Sequence, residues 1–148
     1  MALIQYKKAG LKYAVVESLT AGIELTGLEV KSLRNKQGSL EGSRVVIRGG
    51  EAFILGMSIP PYQQANTPAG YEAERPRKLL LKKSELQELA IQEAKKGLTI
   101  VPLEVYNAGR YLKARIAIVR GKNTSDKRED LKRKDAQRDI ERALRAKK

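Results

Sequence analysis

Between Lys12 and Leu19 the chain reads K-Y-A-V-V-E-S-L, β-branched and loosely alternating, which predicts a strand. Gly22 to Leu25 is expected to continue it after a bend. Residues 1–11 mix apolar positions with Lys7 and Lys8 ahead of Gly10, and a flexible arm is expected there. Thr26 followed by Glu29 is a capping-box pattern: the threonine hydroxyl accepts from the Glu29 amide while the carboxylate reaches back to the Thr26 amide. A short helix over residues 27–34 follows. At about 100° per residue, its apolar positions Leu28, Val30 and Leu33 do not gather into one seam. On these residues alone, a capped linker helix with solvated charges and a binding helix weigh about evenly.

Asn35 to Gly42 reads as loop, with Gly38 and Gly42 as breakers. Ser43–Arg48 and Glu51–Ser58 flank Gly49-Gly50, a tight-hairpin signal. Ile59 to Arg77 holds four of the five prolines, and an exposed irregular loop is expected. Lys78–Leu81 fits a short strand. Ser84 with Gln87 offers a second capping box, and Leu86, Leu89, Ala90 and Ala94 supply a helical face that Gly97 ends. Leu98–Tyr106 and Tyr111–Arg120 are strand-rich around Asn107-Ala108-Gly109-Arg110, a further hairpin. The fold class is therefore mainly β. Antiparallel strands with two or three flanking helices suit a small oligonucleotide-binding-like β-barrel followed by a basic C-terminal tail.

Charge changes the picture. The 148 residues carry 30 basic and 17 acidic side chains, net +13, so the surface attracts polyanions whatever its fold. Residues 120–148 hold twelve of the basic and six of the acidic groups, with Leu131, Ile140 and Leu144 as sparse apolar positions. A helix with so little to bury is marginal alone in water, so the tail is expected to order only on a polyanion. Cysteine and histidine are absent, which removes disulfides, thiolate metal sites and the commonest general base. No apolar run approaches the roughly 20 residues that span a bilayer, and the first residues lack signal-peptide order. The expectation is a cytoplasmic protein that binds rather than catalyses, with no cofactor and no membrane.

Candidate contacts follow from chemistry. Arg75-Pro76-Arg77-Lys78 is a compact basic cluster suited to phosphate, favoured roughly two to one over a solvated loop end on the overall charge. Tyr13, Tyr106 and Tyr111 lie on expected strands, where cross-strand packing is commoner than stacking on bases.

Four motifs then occur in order: G-L-E-V-K-S-L-R at 27–34, R-P-R-K-L-L-L at 75–81, V-P-L-E-V-Y at 101–106 and G-K-N-T-S-D-K-R at 121–128. In order and spacing they resemble the small protein B family, the SsrA-binding proteins of bacterial trans-translation, over nearly the whole chain. The resemblance implies an RNA-binding barrel over 1–120 and a tail over 121–148, disordered when free and helical on the ribosome. It implies binding to the tRNA-like domain of transfer-messenger RNA and its delivery to stalled ribosomes. The barrel would mimic the missing anticodon arm, and the tail would enter the decoding centre and vacant mRNA channel of the small subunit. Elongation factor Tu with GTP and alanyl-tRNA synthetase are implied as indirect partners.

Carried over residue by residue, Glu29, Lys31 and Arg34 match the motif of the RNA-binding face, and Arg75, Arg77 and Lys78 the basic segment near it. Lys122, Asp126, Lys127 and Arg128 match the start of the tail, facing small-subunit rRNA. Ile140 and Leu144 would be apolar contacts of the tail helix. Ser125 stands where many members carry an aromatic or imidazole ring, and Leu11 stands near another expected ring. Glu29 keeps two roles open, capping Thr26 and contacting RNA. The rival expectation is a ribosomal or other structural rRNA-binding protein with a basic tail.

Overall fold

The capping box forms as its spacing dictates. In a computed structural model, Thr26 Oγ1 accepts from the Glu29 amide at 3.3 Å and Glu29 Oε1 accepts from the Thr26 amide at 2.9 Å, and helix α2 runs Gly27–Arg34. The structure describes residues 2–63, Ala65 and residues 67–121. The tail positions Lys122, Ser125, Asp126, Lys127, Arg128, Ile140 and Leu144 lie outside the described residues.

The strands are β1 (Ala2–Gln5), β2 (Tyr13–Ile23), β3 (Arg44–Arg48), β4 (Glu51–Leu55), β5 (Arg77–Leu80), β6 (Leu98–Ala108) and β7 (Tyr111–Gly121). All pair antiparallel, in the order β6, β3, β4, β5, β2, β7, and the β6–β7 pair closes the ring. The result is the small barrel expected from the pattern. The β3–β4 hairpin turns on Gly49-Gly50 with Arg48 opposite Glu51; both glycines have positive φ, 59° and 75°, as a two-residue turn of matching twist requires. The β6–β7 hairpin is tighter than expected, with Ala108 opposite Tyr111.

Residues 2–12 are not an arm. β1 pairs with the far half of β6, Tyr6 donates its amide to the Leu103 carbonyl at 2.8 Å, and Leu3, Ile4, Tyr6 and Ala9 are buried. A four-residue strand is too short for periodicity to register, and the lysines around it mask its apolar content. A single helical turn, α1 (Ala9–Lys12), leads into β2. β2 is one strand through to Ile23, without the expected bend.

Helix α3 spans Lys83–Ala94. Its cap is Lys82, not Ser84: Glu85 accepts from the Lys82 amide at 2.9 Å, and a lysine side chain has no acceptor to complete the box. Leu89 is the buried apolar contact and Leu86 is half-buried, whereas Ala90 and Ala94 face solvent. Glu93 decides that rotation by accepting from the Ile47 amide at 3.0 Å and from Arg48 Nη1 at 2.9 Å. The 59–76 segment is mostly exposed, but its two ends turn inward, because Ile59 and Arg77 are both fully buried.

Candidate nucleic-acid interface

α2 buries Glu29, Ser32 and Leu33, an i, i+3, i+4 stripe that includes a carboxylate and a hydroxyl. Ser32 Oγ donates to the Pro60 carbonyl at 2.8 Å, while Lys31 and Arg34 stay exposed. The helix mixes its faces because its inward face is itself polar.

The partner of that face comes from β5. Strand alternation sends Arg77 and Leu79 inward, so a guanidinium enters the barrel end at 0% exposure beside Glu29 at 1%. Arg77 makes four hydrogen bonds and one further close ion-pair contact. Nε meets Glu29 Oε2 at 2.9 Å; Nη1 meets the Met57 carbonyl at 2.6 Å and the Arg75 carbonyl at 3.0 Å; Nη2 meets the Ala73 carbonyl at 2.8 Å and Glu29 Oε2 at 2.7 Å. Arg75 grips the same carboxylate as a fork, Nε to Oε2 at 3.0 Å and Nη2 to Oε1, with its side chain one-third exposed. Among the described residues no buried side-chain nitrogen or oxygen lacks a partner.

Burial opposes ionisation of Glu29. The hydrogen bonds from Arg75, the Thr26 amide and Arg77, and the charge of Arg77, outweigh it and hold the carboxyl below its ordinary value. Tyr71, whose hydroxyl donates to the Ile59 carbonyl at 2.8 Å, is pushed up by burial and then by the Glu29 charge.

The six sequence-named residues thus fall into three groups. Glu29, Arg75 and Arg77 form one clasp joining α2, the long loop and β5. Glu29 at 1% and Arg77 at 0% exposure face each other inside the clasp, whereas Arg75 keeps an exposed edge. Arg34 Nη2 donates to the Arg110 carbonyl at the β6–β7 turn, 3.2 Å away, with Lys31 nearby on the same helix. Lys78 points to the other side of β5, ion-paired to the exposed Glu51 at 3.3 Å.

Lys78 lines a groove of about 640 Å³ at the β2–β5 joint, together with Gly22, Leu80, Lys82 and Lys113. β2 and β5 share only the pairs Gly22–Leu80 and Ile23–Leu79, so the joint is shallow, and Leu80 is 53% exposed. Three lysines and the exposed Leu80 line it together with the glutamates Glu51 and Glu85; the ammoniums are donors suited to phosphate, and Leu80 is a surface on which a base or sugar can pack. Lys82, Leu80 and Lys113 were not singled out from sequence as contacts.

The chain matches the family model described as SmpB protein over residues 3–146. It is 46% identical over 138 residues to an SsrA-binding protein of Roseiflexus sp. (strain RS-1), covering 93% of this chain and 87% of that one. It is 44% identical over 142 residues to an SsrA-binding protein of Enterococcus hirae, covering 96% and 92%. A solved chain from "tmRNA-SmpB: a journey to the center of the bacterial ribosome" superposes with a TM-score of 0.68 at 38% identity, over 81% of this chain and 84% of that one.

Proposed function

The chain belongs to the SmpB protein family, and from that premise we propose that it binds transfer-messenger RNA and delivers it to stalled ribosomes for trans-translation. The observation that carries this reading is likeness over nearly the whole chain to proteins named SsrA-binding. The geometry supports it. The barrel presents a lysine-lined groove, and the clasp holds α2 and the long loop against the barrel end.

In this reading the tRNA-like domain docks on the barrel. Lys31, Arg34, Lys78, Lys82 and Lys113 and the free edge of Arg75 meet phosphate, and Leu80 packs on sugar or base. Glu29 and Arg77 position these groups without touching RNA. The barrel occupies the place of the missing anticodon arm. The tail from Lys122 enters the decoding centre and vacant mRNA channel as a helix, with Lys122, Asp126, Lys127 and Arg128 at its start and Ile140 and Leu144 as apolar contacts. Ser125 cannot supply a stacked ring at that point. The chain acts as a non-enzymatic adaptor in the cytoplasm, and elongation factor Tu with GTP and alanyl-tRNA synthetase act through the RNA.

The test has two arms. Full-length protein should bind the isolated tRNA-like domain, with affinity falling steeply as salt rises because phosphate contacts release counterions. Truncation after Gly121 should keep that binding and abolish tagging of stalled chains. Equal binding to bulk rRNA and to the tRNA-like domain would overturn the assignment.

A further inference from the structure

Tyr13, Tyr106 and Tyr111 look alike in sequence, as tyrosines on strands. The fold separates them. Tyr13 and Tyr106 are half-buried, whereas Tyr111 is 75% exposed, the most exposed large apolar side chain among the described residues.

The ladder gives the reason. Along β7 the side chains alternate, with Leu112 and Ala114 buried and Tyr111, Lys113 and Arg115 outward. Directly opposite Tyr111 on β6 stands Ala108, whose methyl group cannot cover a phenol ring. On the other side the β2–β7 ladder ends at Gly22, opposite Lys113, and glycine has no side chain to lean over the ring. The Tyr111 ring therefore stands past the end of β2 with no side chain of its size directly opposite. Its hydroxyl makes no hydrogen bond among the described residues.

The surroundings are cationic. Lys113 lies two residues along the same face, about 7 Å away, and Arg110 is the adjoining turn residue. Arg34, Arg110 and Lys113 enter no ion pair among the described residues. Arg34 Nη2 donates to the Arg110 carbonyl at 3.2 Å, which ties the turn to the end of α2. Only Gly109 and Arg110 separate Ala108 from Tyr111, and Gly109 takes φ 66°, so the ring rides on a short, tethered tip. An exposed aromatic standing alone needs no ligand to explain it. This one stands among three cations without carboxylate partners, and that combination is what a stacking platform for single-stranded nucleic acid requires: charge for the backbone and a flat face for a base.

We propose that Tyr111 is a base-stacking residue. Its ring packs on an unpaired base of the bound RNA, Lys113 and Arg110 meet the neighbouring phosphates, and Arg34 fixes the turn that carries the ring. The proposal rests on the assignment to transfer-messenger RNA made above and adds to it an uncharged contact.

The test uses the full-length protein and the isolated tRNA-like domain, titrated at several salt concentrations. Tyr111→Ala should raise Kd about 5- to 150-fold. It should leave the slope of log affinity against log salt unchanged, because a phenol releases no counterions. Tyr111→Phe keeps the ring and should bind as wild type does. Tyr111→Leu keeps apolar bulk on the strand without an aromatic face, and should bind as weakly as Tyr111→Ala at an unchanged melting temperature. Wild-type affinity in Tyr111→Ala or Tyr111→Leu overturns the proposal. So does a Tyr111→Phe protein as weak as Tyr111→Ala, which would assign the effect to the hydroxyl, or an altered salt slope in Tyr111→Ala. A loss of affinity that comes only with a fall in melting temperature also overturns it. The preference of wild type for the tRNA-like domain over bulk rRNA is read before any variant is made. Failure of the functional assignment shows there, and failure of the stack shows in the ratio of variant to wild type on the same RNA.

Discussion

Glu29→Gln isolates the clasp. The amide has the size of the carboxylate and its oxygen still accepts from the Thr26 amide, so the capping contact survives. What is lost is the only carboxylate paired with Arg77 among the described residues, a guanidinium with 0% exposure whose other acceptors are three backbone carbonyls. Removing one partner of a buried pair costs about 3–5 kcal/mol, because the survivor stays buried and uncompensated. For a barrel of this size, each kcal/mol corresponds to about 3–5 °C, so Tm should fall by about 10–25 °C. Urea unfolding followed by far-UV circular dichroism, with an unchanged m-value, gives the same quantity at 25 °C. Arg77→Met should show a similar loss, and the double variant should recover part of it, with a coupling of at least about 1 kcal/mol. A loss under about 1 kcal/mol for Glu29→Gln, additive with Arg77→Met, would show that Arg77 is hydrated and would sink the buried-clasp account.

Three further outcomes follow. Because Glu29 titrates below its ordinary value when folded, its stabilisation is complete above the unfolded glutamate value of about 4.3 and is lost as pH falls through the folded value; the stability gap between wild type and Glu29→Gln should shrink only on the acid side, and a gap that narrows with rising pH would contradict this. Lys78→Ala and Lys113→Ala should each lower the slope of log affinity against log salt by about 0.9 in titrations of the tRNA-like domain, and unchanged slopes would remove the β2–β5 groove from the interface. Gly22→Val should push β2 from β5, since a Cβ there meets Leu80 Cβ at 3.2 Å; overpacking costs about 1–3 kcal/mol, and calorimetry together with RNA titration should show both stability and affinity falling.

Local rules made much of the chain legible. The Thr26–Glu29 spacing set the start of α2, Gly49-Gly50 set the β3–β4 hairpin, and the alternation on either side of Asn107-Ala108-Gly109-Arg110 marked β6 and β7. Each of these signals acts over two to four residues through local geometry, so distant packing left it in place, although the Ser84–Gln87 pair shows that such spacing does not always cap. The ordered motifs did the same for the family, because their spacing is read without knowing what each side chain touches.

Tertiary structure decided where side chains face. In sequence, Glu29 and Arg77 are charged residues beside other charged residues and read as surface. Only the docking of α2 over the end of β5 encloses them, and it is tolerable because Glu29 and three backbone carbonyls accept from Arg77. The inward face of α3 depended likewise on Glu93 reaching the Ile47 amide, 46 residues away in the chain. β1 became a strand because the free edge of β6 was there to pair it. Sequence alone determined most of the elements, though not β1 or α1, and the basic character of the chain. The fold decided which charges are spent inside, on the clasp, and which, at Lys31, Arg34, Lys78 and Lys113, are left at the surface, because burial and pairing depend on residues that meet only when the barrel closes.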